Sequence, residues 1–203
     1  MKVPYVGFDQ QFAEQRSEIM GAMEAVMTRG DFILGSAVTE FENEFAAVSG
    51  AKHAIGVANG TDSLIICMRL LGIGPGDEVI TTSNSWISSA SSIALIGATP
   101  VFVDVLPDQN MDPEKLEKAI TSKTKCIMPV HLTGRCARMP EILEVAKRRG
   151  IPVLEDAAQA IGASVAGIKA GSGGLFGSFS LHPLKNLNAA GDAGIITTND
   201  SDM

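Results

Sequence analysis

Cysteine and histidine are scarce in this sequence, and each scarcity excludes something. Its three cysteines, Cys67, Cys126 and Cys136, are odd in number and widely spaced. They form neither a disulfide framework nor a CxxC metal signature, so a reducing, cytoplasmic setting is the simplest inference. His131 lies between Cys126 and Cys136, but the spacing matches no zinc pattern and no metal is expected. There is no long basic run, and the formal net charge is −7. That excludes a nucleic-acid surface and points to a chain kept in solution by its charge. Long apolar runs are missing too. The most apolar window, residues 91–105, is broken by Gly97 and Pro100, and none reaches the roughly 20 residues a bilayer span needs. The opening, Met1-Lys2-Val3-Pro4-Tyr5, carries no long apolar segment, so no signal peptide and no membrane partner are expected.

What is present suits a folded domain. Hydrophobic residues make up 45% of 203 residues, enough for a sizeable core in one large domain. The first 50 or so residues read as helical. Phe12, Ile19, Met23, Val26 and Met27 recur at helical spacing over residues 12–29, and Val38, Phe41, Phe45 and Val48 form a second stripe that Gly50 closes. From residue 53 on, short β-rich runs alternate with helical ones. Strands are expected at 53–57, 78–82, 101–105, 126–130, 151–154, 176–181 and 194–198, and helices at 62–71, 86–96, 113–120 and 139–149. This alternation is the pattern of an α/β fold, a mostly parallel sheet with helices on both faces. Ligands of such sheets bind at the carboxyl ends of the strands, and the polar residues that stand out sit at those ends.

Lys185 is the one lysine of residues 178–191, a stretch otherwise largely apolar, small or hydroxylic. Burial lowers a lysine's pKa and makes the amine a nucleophile for carbonyl chemistry; alternatively it is a surface lysine in a turn after Pro183. Asn59-Gly60-Thr61-Asp62-Ser63 joins a strand to a helix and suits a phosphate at the helix N-terminus. It has neither dinucleotide-fingerprint nor P-loop spacing, and an ordinary helix cap is the alternative. Trp86, the one tryptophan, could stack on a flat ring or anchor the core. Asp156, in Glu155-Asp156-Ala157-Ala158-Gln159, ends a buried strand and is followed by small residues. A carboxylate there can keep a ring nitrogen protonated, or it caps a following helix. Gln159, one helical turn on, could face the same space. A glycine-rich stretch, 171–177, leads to Ser178 and Ser180, whose hydroxyls could bind phosphate or the backbone. His131 and His182 read as ligands, proton carriers or hydrogen-bonded structural groups.

Taken together, Asn59-Gly60-Thr61, Gly76-Asp77-Glu78-Val79-Ile80, Gly97-Ala98-Thr99-Pro100-Val101-Phe102-Val103-Asp104, Glu155-Asp156-Ala157-Ala158-Gln159 and Phe179-Ser180-Leu181-His182-Pro183-Leu184-Lys185-Asn186-Leu187 resemble the DegT/DnrJ/EryC1/StrS family. These are sugar aminotransferases of fold type I that depend on pyridoxal 5′-phosphate (PLP). The opening, with Phe32-Ile33-Leu34-Gly35, is similar as well. The resemblance implies that Lys185 forms the Schiff base with PLP, Asp156 pairs with the ring nitrogen and Gln159 meets the ring hydroxyl. It also implies that Gly60, Thr61, the Asp62 backbone and Ser180 hold the phosphate and that Trp86 stacks on the ring. The reaction it implies moves an amino group from an amino acid, glutamate in most of the family, to a nucleotide-linked keto-deoxysugar in a homodimer. Less favoured readings are a non-catalytic PLP-binding paralogue and a sugar dehydratase of the same family, in which histidine typically replaces the lysine. Departures from the pattern are Leu181, Leu184 and Thr133-Gly134-Arg135-Cys136. By the same resemblance, residues 1–203 are the PLP-binding large domain, and a C-terminal small domain is expected to be absent from this chain.

Overall fold

A computed structural model describes residues 3–203; Met1 and Lys2, with which the expected N-terminal helical segment and the opening read for a signal peptide begin, lie outside the described residues. Contacts divide the chain into two units, 1–42 and 43–203.

In the first unit, helix α1 (Phe8–Arg29) begins four residues earlier than its stripe predicts and buries none of its residues. Gly30 ends it in the left-handed conformation, its amide returning to Val26. Asp31 then prepares helix α2 (Ser36–Ser49): its Oδ2 accepts from the amide of Ser36 at 3.2 Å and from its hydroxyl at 3.3 Å. The end of α2 lies in the second unit, where Phe45, Ala46 and Ser49 are buried and Val48 is half exposed. The expected stripe is right at Phe45 and wrong at Val48. The face that packs is set by Phe45, whose ring meets Phe179 edge-on at 4.9 Å.

The second unit alternates strands and helices in the order β1 (His53–Val57), α3 (Gly60–Leu70), β2 (Glu78–Thr82), α4 (Ile87–Leu95), β3 (Thr99–Val103), α5 (Pro113–Ala119), β4 (Thr124–Met128), α6 (Met139–Arg149), β5 (Leu154–Asp156), β6 (Ser164–Val165), β7 (Ile168–Lys169), β8 (Phe176–Ser180) and β9 (Gly194–Thr198). One ladder runs β1-β9-β8-β5 and another β3-β2-β4. Parallel bridges Ile127↔Val153 and Val130↔Asp156 connect them, giving the order β3-β2-β4-β5-β8-β9-β1. Only β9 is reversed, antiparallel to both β8 and β1, as the α/β expectation requires. Strands β3, β4 and β5 are offset by two or three residues from their expected places. Their apolar runs extend into the loops at one end, and pairing fixes their limits. The short hairpin β6–β7 has too little periodicity to be read from sequence.

Strand alternation divides the core. Val79, Cys126, Met128 and Leu154 share one apolar cluster with Leu64, Cys67 and Met68 of α3 and Ile93 of α4. Their neighbours Ile80, Ile127 and Val153 join the other, with Leu116 of α5 and Met139, Ile142 and Val145 of α6. Helices therefore cover both faces. Cysteines fill space here: all three are free and buried, and burial pushes the Cys126 thiol up to about 12. Among the described residues no helix is long and apolar enough to cross a membrane.

Close backbone packing brings β8 against the loop before it. A side chain on Gly177 would meet the Thr197 hydroxyl and lie 2.5 Å from Gly171 Cα and 2.6 Å from Gly171 O. Backbone atoms cannot yield as a rotamer does, so Gly177→Ala is expected to cost about 2 kcal/mol or more, read as a lower urea midpoint with unchanged slope.

Candidate active site

The sheet converges on a site from the carboxyl ends of β5 and β8 and the N-termini of α3 and α4. Asn59 caps α3, its Oδ1 accepting from the amide of Asp62 at 2.8 Å. The ordinary cap is thus real at Asn59. It also means that an anion would share the Asp62 amide with Asn59, whereas the amides of Gly60 and Thr61 precede the intrahelical ladder and remain for a ligand. Gly60 has to be glycine: a side chain there would lie 2.8 Å from Ser180 Cβ. This approach places the Ser180 hydroxyl at the mouth of α3.

The two serines of β8 part company. Ser178 is buried, in a short hydroxyl contact with Ser63, and within 3.4 Å of Gly60 O. Its hydroxyl ties β8 to α3 and is not available to an anion. Ser180 is half-buried and its Oγ accepts only from the amide of His182, at 3.3 Å, so its own hydrogen stays free to donate.

Two serines that sequence reasoning missed lie on the first turn of α4. Thr61 donates to Ser88 Oγ at 2.9 Å, and Ser89 donates to Asp156 Oδ2 at 2.7 Å. Because Ser89 gives its only hydrogen to Asp156, Ser85, 2.6 Å away, must donate to Ser89. The signal was the hydroxyl-rich run 85–92, which helical periodicity alone passes over. Trp86 is the N-cap of α4 and is 70% exposed, which rules out the core-anchor reading and leaves its ring face open within a turn of Ser88 and Ser89.

Asp156 closes β5 and is buried. Turns follow it rather than a helix, so it is not a helix cap, and Gln159 arrives by a turn and not one helical turn on. Burial holds the Asp156 carboxyl above its ordinary range against the bonds from Ser89 and the Ala158 amide. Burial also lowers Lys185, which is half-buried after β8, against the opposing charge of Asp156. The two groups therefore sense each other across the site, each disposed toward its neutral form by the lack of water. Gln159 Oε1 accepts from the Thr133 amide at 2.8 Å, which leaves its amide nitrogen to donate elsewhere. Thr133 sits at φ 56° in a turn held by Asn110, whose Oδ1 accepts from the Leu132 amide and whose Nδ2 donates to Arg135 O.

Behind Asp156, Glu155 and His131 are wholly buried. Glu155 Oε2 accepts from His131 Nε2 at 2.7 Å and the Gly171 amide at 2.9 Å, and Oε1 from the Gly173 and Gly174 amides at 2.8 and 2.7 Å. His131 Nδ1 accepts from the Ala137 amide at 3.1 Å, which assigns the ring hydrogen to Nε2. His131 is a structural group and not a ligand, and among the described residues no His, Cys, Asp and Glu group could hold a metal ion. His182 is exposed.

The family model described as the DegT/DnrJ/EryC1/StrS aminotransferase family matches residues 13–203. The chain belongs to that family. It is 48% identical over 204 residues to a pleiotropic regulatory protein of Geobacillus stearothermophilus, covering 100% of this chain and 55% of the relative. It is 45% identical over 204 residues to UDP-N-acetyl-3-dehydro-alpha-D-glucosamine 3-aminotransferase of Acidithiobacillus ferrooxidans, covering 99% of this chain and 55% of that one. Among solved structures, S. venezuelae DesV in complex with a ketimine intermediate superposes with a TM-score of 0.95 at 42% identity, over 99% of this chain and 54% of that one. NtdA of Bacillus subtilis with bound cofactor PMP gives 0.91 at 33%, over 99% and 46%. The chain spans about half the length of the curated relatives it matches. Fold type I, expected from the resemblance, agrees with these superpositions.

Two outcomes follow from the site's electrostatics. Glu155→Gln turns an amide donor toward donors already in place, so a loss of about 3–5 kcal/mol in unfolding free energy is expected by denaturant titration. Asp156 is raised in the folded chain, so the stability it contributes is complete below the unfolded value and lost as pH rises through the folded one. Asp156→Asn escapes that loss. Its melting temperature in the ligand-free chain is expected to gain on the wild type steadily as pH rises from the ordinary carboxylate range, then run level with it.

Proposed function

We propose that this chain is the PLP-binding portion of an aminotransferase that moves an amino group from an amino acid, glutamate foremost, to a nucleotide-linked keto-deoxysugar. The observation that carries the reading is the pairing of a half-buried Lys185, its amine shifted toward the neutral form, with a buried Asp156 whose charge it senses. The named relatives that act on nucleotide sugars and the relative solved with PMP support it.

The residues fit a phosphorylated pyridine. The amides of Gly60 and Thr61 at the N-terminus of α3, with the Ser180 hydroxyl, offer donors to a phosphate; the Thr61 hydroxyl would join them by turning its hydrogen away from Ser88. Asp62 contributes its amide in competition with Asn59. Asp156, oriented by Ser89, would hold a proton on the ring nitrogen. Gln159, its oxygen fixed by Thr133, would turn its amide nitrogen to the ring hydroxyl, and Trp86 would cover the ring's face. Bound PLP supplies an electron sink and carries the amino group between the two substrates. Lys185 would hold the cofactor covalently at rest and, once displaced by the donor's amine, move the proton at the carbon that bears the transferred nitrogen. A lysine at this position favours transfer over the dehydratase reading. A cytoplasmic, homodimeric enzyme completes the proposal.

The test is an absorbance spectrum of the chain with PLP before and after borohydride, beside Lys185→Ala. A band fixed by borohydride onto Lys185 and absent from the variant is expected, with conversion to the pyridoxamine form on adding glutamate. A folded chain that binds PLP at Lys185 but is unchanged by any amino acid would favour the non-catalytic paralogue. No attachment at Lys185 would overturn both.

A further inference from the structure

The segment that carries Lys185 is a β-turn organised by a histidine. The amide of Lys185 donates to His182 O at 2.8 Å, with Pro183 at the position where its fixed φ favours the turn. The His182 ring closes the same turn from inside, since its Nδ1 accepts from the amide of Leu184 at 3.2 Å. This is the bond an Asn or Asp side chain makes to the amide two residues on in an Asx turn, made here by an imidazole. One residue earlier, the His182 amide donates to Ser180 Oγ. The far side is tied as well: Asn188 Nδ2 donates to Pro183 O at 2.7 Å, and Asn186 Nδ2 to Ile161 O at 3.3 Å. The N–H groups of His182, Leu184 and Lys185 are therefore all engaged before any ligand arrives, Pro183 having none, and the ring of His182 supplies one of the acceptors.

We propose that His182 is a positioning residue for Lys185: by holding the Leu184 amide through Nδ1, it presets the turn so that the lysine amine meets an incoming aldehyde. His182 touches none of the reacting atoms. The inference rests on Lys185 being the residue that captures PLP. In that capture the amine nitrogen bonds to the aldehyde carbon and the aldehyde oxygen leaves as water. Borohydride then delivers hydride to the same carbon and makes the N–C bond permanent.

The experiment compares wild type, His182→Leu and His182→Asn in the full chain. The rate of PLP attachment at Lys185 is read by timed borohydride trapping and peptide mass. Affinity for pyridoxamine 5′-phosphate, which has no aldehyde and forms no bond to lysine, is measured alongside. H182L is expected to slow capture about tenfold through lost preorganisation, and H182N to restore it, because its Oδ1 can accept the Leu184 amide. All three are expected to bind the pyridoxamine form alike. Should H182L not fold, Pro183→Ala loosens the same turn and takes its place, with the same slowing expected. Capture by H182L at the wild-type rate, a parallel fall in pyridoxamine phosphate binding, or an H182N as slow as H182L would each overturn the proposal. Wild type that takes up no PLP at Lys185 would instead overturn the reading of Lys185 itself, and the inference with it.

Discussion

The buried carboxylate of Glu155 is the constraint on which the site depends. It accepts from His131 and from the amides of Gly171, Gly173 and Gly174, so segments far apart in sequence are drawn to one residue of β5. Without it the buried Gly171 amide would be left unsatisfied and the half-buried amides of Gly173 and Gly174 would lose their acceptor. The glycine-rich loop can serve because it has little side chain to displace: Gly171 sits at φ +81°, and a side chain there would enter the Phe179 ring. From that loop the chain passes directly into β8, which delivers Ser180 and then Lys185. The same cluster orders the other flank, since His131 bonds to Glu155 through its ring and to Asp156 O through its amide.

Successive residues of a strand face opposite ways, and Glu155 and Asp156 show what this does with two carboxylates side by side. Glu155 looks into the protein and has its oxygens filled by protein donors. Asp156 faces the other way, toward Ser89 and the charge of Lys185, with one hydroxyl and one amide for company. A buried carboxylate with so few donors is held above its ordinary range and gains most from a cation brought to it. One strand thus carries a carboxylate whose acceptors are filled on folding next to one left with few donors.

Much of this was legible in the sequence. The alternation of short β-rich and helical runs gave the α/β class, and β1, β2, α6 and β9 fall where they were expected. Lys185, Asp156, Thr61 and Ser180 were marked because polar residues at strand ends stand out against apolar surroundings. Ser88 and Ser89 were missed for the converse reason: a serine on a helix has no periodicity of its own, and only the fold brings Thr61 of α3 to one hydroxyl and Asp156 at the end of β5 to the other. Ser178 and Ser180 were equivalent in sequence, and the proximity of Ser63 to one of them decides between them. Val48 matched a helical stripe but is exposed, because a stripe specifies an apolar face and the packing of Phe45 on Phe179 chooses which part of it is covered.

The opposing shifts of Asp156 and Lys185 have one source. Burial raises the acid and lowers the base, moving both toward neutrality, while the charge of each favours ionisation of the other. Without a ligand, desolvation is the larger influence on both. A ring cation beside Asp156 would favour its ionised form at once, and an amine consumed in a covalent bond would remove the lysine's charge from the balance. Two groups that burial holds toward neutrality in the free chain are thus the two whose balance a phosphopyridine aldehyde would change. That change can appear as binding energy because the scaffold that buries them, anchored at Glu155, is complete beforehand.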